Sequence, residues 1–200
     1  MLGTVRDMTI STTVDWTHEL VEQLEFHWGN VLRPRLDSLT DEQYLWEPVP
    51  GCWSIRPRAD ATTPMAVGTG EAVIDFAMPE PSPPPITTIA WRMAHIAIGV
   101  FGMRAANHFG AGGVGYETTD YPITAAGGVA LLDRHHDAWI SGVRELDAAG
   151  LLRPCGPAEG PYAEAPFAVL VLHINREALH HGAEIALLLD LYTHRFGGSQ

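Results

Sequence analysis

The stretch HINREALHHGAEI, residues 173–185, places three histidines and two glutamates within thirteen positions. Imidazole nitrogens and carboxylate oxygens are ligands for zinc, nickel or ferrous iron. On a helix, residues four apart lie about 40° apart around the axis and share a face. His173, Glu177 and His181 therefore form a ladder at i, i+4 and i+8, and Glu177 with His181 makes an E-x-x-x-H pair able to grip one ion. Two ligands hold a metal poorly, so a third has to come from another element. His95, in the almost wholly apolar WRMAHIAIGVF, is the best candidate. A histidine in such surroundings is either a buried neutral ring with a hydrogen-bond partner or a ligand.

The other histidines carry weaker signals. His180 follows the ladder's face by about 100° and reads as a supporting, interface or solvent group. His135 and His136 stand among Asp133, Arg134 and Asp137 and read as a solvated helix face. Glu19, Glu22 and Glu25 read the same way, with room for one of them to reach the core. His18, His27, His108 and His194 are scattered and read as structural or exposed.

Four long segments have the apolar periodicity of helices. They run from about Thr13 to Leu39, Thr87 to Phe109, Thr124 to Ala149 and Ala165 to Tyr192. Pro34 should kink or end the first. Thr40 and Gln43 form a capping-box pattern that opens a short helix. The glycine-rich GAGGVG stops the second long helix, Gly150 the third and the GGS near the C-terminus the fourth. With no convincing alternating strands, the expectation is an all-α, up-down-up-down four-helix bundle occupying residues 1–200 as one domain. Residues 56–85 interrupt it as a long insertion between the first and second long helices, in which EAVIDF is a candidate strand. The insertion has no core of its own and reads as a lid or loop.

Composition narrows the partners. The 200 residues carry 12 Lys+Arg against 24 Asp+Glu, a formal charge of −12. Such a chain repels phosphate backbones and anionic membranes, which argues against nucleic-acid and membrane binding. No apolar run spans a bilayer, and the first residues lack a basic stretch followed by a hydrophobic one, so the expected location is cytoplasmic. Cys52 and Cys155 read as two reduced thiols, neither a disulfide framework nor a metal motif. Every basic residue is arginine, which together with abundant Ala, Gly and Pro points to a GC-rich bacterial genome.

These motifs resemble the DinB-like superfamily of four-helix bundles, which includes bacterial thiol-dependent S-transferases and the mycothiol-dependent maleylpyruvate isomerase. Trp91 and His95 in WRMAHIA match the tryptophan and histidine of that family's second helix. The last-helix motif H-x-x-N-H-x-x-H-H-R-G-Q, laid on the adjacent pair His180 and His181, begins at His173. Its middle histidine falls on Glu177, and its arginine–glycine–glutamine tail is altered to Gly182, Ala183 and Glu184. A glutamate at that place is similar to the isomerase branch, whose metal set is two histidines and one glutamate. PGCWSIR also resembles the tryptophan–serine segment that precedes the second helix in relatives.

The resemblance implies His95, Glu177 and His181 as ligands of a divalent metal (Zn, Ni or Fe), with open positions for a low-molecular-weight thiol. Mycothiol is favoured over bacillithiol if the genome is GC-rich. It further implies transfer of that thiol to an electrophile, or isomerisation of the electrophile, with His173 or His180 moving a proton and Arg176 orienting the thiol. A homodimer is expected from the family, with apolar FAVLVLHI on an outer face. Two other readings stand beside this one: a metal-dependent hydrolase on the same scaffold, and a non-catalytic metal- or ligand-binding or stress-response bundle.

Overall fold

The computed structural model describes residues 13–197. The expectations about residues 1–12, and about the last residues of the GGS stop, lie outside the described residues. Four long helices dominate. The first joins Trp16–His27, a π-helical segment Trp28–Leu32, and Arg33–Leu36. The second joins Ile89–Ala94, a π-helical segment His95–Gly102, and Met103–Phe109. The third is Ala125–Arg144 and the fourth Phe167–Phe196.

Local chemistry accounts for the ends. Asp15, Thr88 and Thr124 each accept a backbone N–H of the first turn, satisfying donors that have no partner within the helix. Thr40 and Gln43 form the expected reciprocal capping box on Asp41–Tyr44. Pro34 neither ends nor breaks the first helix. The wider turn Trp28–Leu32 lies just ahead of it, where proline's missing N–H and its clash with the preceding turn must be absorbed. The third helix ends five residues short of Ala149, and Asp147 caps a separate short helix Ala148–Leu152.

The first and second helices each pack against both the third and the fourth. The all-α four-helix reading holds, but the senses are up-down-down-up instead of alternating. The first helix runs parallel to the fourth: Asn175 Nδ2 donates to Leu20 O at 2.8 Å near one end, and Arg35 pairs with Asp190 near the other. It runs antiparallel to the third, with Glu25 against Arg144 and Arg33 against Asp133 at 2.8 Å. Gly102 touches His135 and Gly142 touches Phe109, so the second and third helices are parallel. The cause is the connection 110–124. It does not turn tightly but travels back along the second helix, Gly112 near Ala106, Val114 near Gly102 and Tyr116 near His95. Positive φ at Gly112 (77°) and Gly113 (86°) starts that return, a conformation glycine adopts without penalty.

The insertion is anchored to the bundle. β1 (Ile55–Pro57) pairs antiparallel with β2 (Ala72–Ile74), so the strand expected in EAVIDF forms. Ile55, Ala72 and Ile74 join the main core and do not form one of their own. At the end of β2, the fully buried Asp75 accepts from Ser54 N at 3.0 Å, Arg56 Nε at 2.8 Å and the Thr62 and Thr63 hydroxyls. Its own carbonyl accepts from Trp91 Nε1 at 2.8 Å, tying the insertion to the second helix.

Two histidine and acid readings change with packing. His136 is buried, not solvated, stacked on Trp28 at 3.9 Å with Nε2 2.9 Å from Glu25. Glu25 is thus the one member of the first-helix acidic set that turns inward. Both cysteines are buried free thiols. Among the described residues, no helix is long and apolar enough to cross a membrane.

Candidate metal centre

The second and fourth helices run antiparallel, and their facing surfaces bring His95 and His181 together. The two rings meet edge to face with centroids 4.8 Å apart. Glu177, one turn before His181, places Oε2 3.6 Å from His181 Nε2. Two donors each about 2.1 Å from a tetrahedral ion lie about 3.4 Å apart, so this pair already has nearly the bite of a bound divalent cation.

Each imidazole is held by its other nitrogen. His95 Nδ1 lies 2.7 Å from the Tyr116 hydroxyl, which leaves Nε2 as the ligand nitrogen. The ring also stacks on Trp91 at 5.2 Å. His181 Nδ1 lies 2.7 Å from Glu184 Oε2, and Arg92 Nε is 2.9 Å from that same oxygen. Carboxylate or hydroxyl partners of this kind set the tautomer and aim a ligating histidine. Burial, followed by His181, Arg92 and Arg104, pushes the His95 imidazole down to about 3. Burial lowers His181 as well, against the raising pull of Glu184. Both rings are therefore neutral near pH 7, the form that binds metal.

Among the described residues, the set whose ligand atoms all lie within 4.8 Å of one another is a different one, His180, His181 and Glu184. It is the poorer receptor on physical grounds. The Arg92 guanidinium already sits on Glu184, where it would repel a divalent ion, and the His180 side chain is 63% exposed. His95, Glu177 and His181 suit a metal better because both rings are aimed through their outer nitrogens and Glu177 turns Oε2 toward His181 Nε2 while Arg176 sits on Oε1.

His95 and Glu177 line a cavity of about 240 Å³ together with Gly99, Met103, Arg104, Tyr116 and His173. A larger pocket of about 770 Å³ shares Arg104 and His173 with it. Of the expected proton-moving groups, His173 stands at this common wall. Its Nδ1 accepts from Arg176 Nη2 at 2.6 Å and lies 3.5 Å from Glu177 Oε1. His180 lines neither cavity and faces Glu184 at 3.4 Å. Arg176 borders the outer pocket.

Arg104, Tyr116, Glu184 and Arg92 were not singled out by sequence, and the reason for Arg104 is geometric. Nine residues separate it from His95, which on an α-helix means roughly opposite faces. Across the π-helical segment each turn takes about one residue more, so two turns bring Arg104 back beside His95. Tyr116 comes from the returning connection, and no local pattern announces it.

Gly99 makes room for this arrangement, since a Cβ there would collide with the Tyr116 hydroxyl and lie 3.2 Å from His95 Nδ1. Gly99→Ala should weaken metal affinity about 10–100-fold, the usual loss when a ligand's outer partner is displaced, and forcing Tyr116 aside should cost about 1–3 kcal/mol of stability. Competition against a chromogenic chelator measures it; wild-type affinity in this variant would show that Tyr116 does not aim His95.

The family model that matches the chain, over residues 23–185, is that of the DinB superfamily. The chain belongs to the DinB superfamily. Membership points to a metal-binding helical protein, and the His/Glu cluster of the fourth helix supplies residues of the right chemistry. No curated protein and no solved structure matches the chain.

Proposed function

We propose that this DinB-superfamily chain is a divalent-metal-dependent enzyme that activates a low-molecular-weight thiol, mycothiol-like, for S-transfer to an electrophilic small molecule or for its isomerisation. The observation that carries the reading is the two-chamber site. His95 and Glu177 border a small cavity, His181 packs against both, and a pocket of ligand size shares a wall with that cavity.

His95, Glu177 and His181 would hold the ion, with Tyr116 and Glu184 fixing the two rings. A divalent cation there lowers the pKa of a thiol that reaches it, leaving a thiolate nucleophile near neutral pH. The inner cavity, at about 240 Å³, admits the sulfur end of a thiol but not a whole cosubstrate. His173 receives a hydrogen bond from Arg176 on Nδ1 and lines both cavities, where its ring can hydrogen-bond a substrate atom. Arg176, on the same wall, orients the bound cosubstrate.

The test is turnover of a chromogenic electrophile by the zinc- or nickel-loaded chain, with mycothiol, bacillithiol or cysteine added singly. Turnover requiring both metal and thiol is expected. Ester or amide cleavage without thiol would replace this reading by a hydrolase, and saturable ligand binding with no turnover by any thiol would replace it by a non-catalytic bundle.

A further inference from the structure

The outer pocket has a chemistry of its own. Val169 and Leu172 of the fourth helix, about half exposed, line it with Tyr162, giving it an apolar side. Part of the FAVLVLHI face is thus a pocket wall, while Phe167, Leu170 and Val171 turn into the core. Two arginines border the same space, Arg104 from the second helix and Arg176 from the fourth. In a chain of formal charge −12 the general field repels anions. Two guanidiniums on one pocket therefore act as a local receptor against that field.

The opposing charges can be counted. Glu159 is engaged with His108 Nε2 at 2.9 Å and stands 3.7 Å from Arg104 Nη2. Glu177 lies 3.3 Å from Arg176, and holding a cation would draw it away from that partner. Arg104 spends Nη1 on Gly99 O at 2.6 Å, while its buried Nε has no hydrogen-bond partner. With Glu177 drawn onto a cation, two guanidiniums against Glu159 leave about one positive charge. That matches a singly charged carboxylate better than a doubly charged phosphate.

We propose that the outer pocket binds a small organic monocarboxylate, its carboxylate against Arg104 and Arg176 and its apolar body along Val169, Leu172 and Tyr162. A volume of about 770 Å³ lies within the range of small-molecule sites. That this ligand is the electrophilic cosubstrate rests on the thiol-transfer reading; the binding itself asks only that a cation hold Glu177.

Isothermal titration of the full chain, metal-free and zinc-loaded, with 4-phenylbutyrate and its uncharged amide separates the two. The acid should bind at least about tenfold more tightly than the amide, the size of a charge-assisted hydrogen bond. Arg104→Met should erase that preference. Because Arg104 also braces the second helix through Gly99 O, Arg176→Met serves as the second variant; its side chain is exposed, and it should cut the preference several-fold without disturbing the fold. Equal binding of acid and amide, no binding of either at millimolar concentration, or a full preference in both variants would overturn the proposal. An acid preference that persists in a chain with no thiol-dependent turnover would remove the transfer reading and leave the pocket assignment standing. Conjugation of a neutral electrophile without any acid preference would do the reverse.

Discussion

His181→Ala is expected to abolish metal binding and, with it, any thiol-dependent turnover. His181 touches every other part of the centre: the His95 ring at 4.8 Å, Glu177 at 3.6 Å and Glu184 at 2.7 Å. Its loss leaves His95 and Glu177 on separate helices, and His173, which lines their cavity, has its Nδ1 occupied by Arg176. Losing an outer partner of a ligand costs about 10–100-fold, so losing the ligand itself should cost more than about 100-fold in affinity. Elemental analysis of purified protein should fall from about one equivalent of metal to a trace. A companion variant separates the two candidate sets. His180→Ala should keep its metal if His95, Glu177 and His181 are the ligands, and lose it if the tighter cluster with Glu184 is. Metal retained by His181→Ala would remove both assignments and shift the reading to a non-catalytic bundle.

Asp75→Ala should be the most damaging change outside the centre. Asp75 is fully buried and Arg56, its 2.8 Å partner, is largely so. Arg56 also reaches Glu47 at 2.6 Å and donates to Cys52 O at 2.6 Å, so it cannot swing out without breaking the turn before β1. Removing Asp75 leaves Arg56 with Glu47 alone and takes the acceptor from Ser54 N and the Thr62 and Thr63 hydroxyls, a loss of about 3–5 kcal/mol. At this chain length that lowers the melting temperature by roughly 6–20 °C. The effect should reach the metal as well, because the Asp75 carbonyl holds Trp91 and Trp91 stacks on His95. Thermal unfolding followed with and without zinc reads both consequences. A melting temperature within about 2 °C of wild type would mean that the insertion is not a structural brace for the second helix.

This brace shows how much was legible in the sequence. The interruption at residues 56–85 and the strand within EAVIDF were readable from turn residues and a short apolar run. That Asp75 would become the hub of the segment was not. One aspartate among 24 acidic residues carries no mark of burial until β1 and β2 pair and close over it. His136 is the same case in reverse: the charged neighbours Asp133, Arg134 and Asp137 disguise a ring that the first helix covers with Trp28.

Helix existence and caps depend on residues within a few positions of one another, so local periodicity, Thr40 with Gln43, and the glycines after Phe109 and Phe196 determined them, whereas Gly150 lies inside Ala148–Leu152 and does not stop the third helix. The i, i+4, i+8 ladder of His173, Glu177 and His181 belongs to the same class, because the fourth helix is regular from Phe167 to Phe196. What only the tertiary structure decided depends on contacts between distant segments, or on departure from the α-helical period. The helix senses follow from a fifteen-residue return, 110–124, that could equally have been a tight turn. Arg104 joins His95 because hydrogen bonds in His95–Gly102 reach one residue further than in an α-helix, resetting the face that a 3.6-residue period assigns. Tyr116 and Gly99 then fit as a pair, one supplying a hydroxyl to His95 and the other the space for it. A one-dimensional pattern records which residues share a face of a regular helix; it does not record where the helix changes its pitch or which loop comes back to meet it.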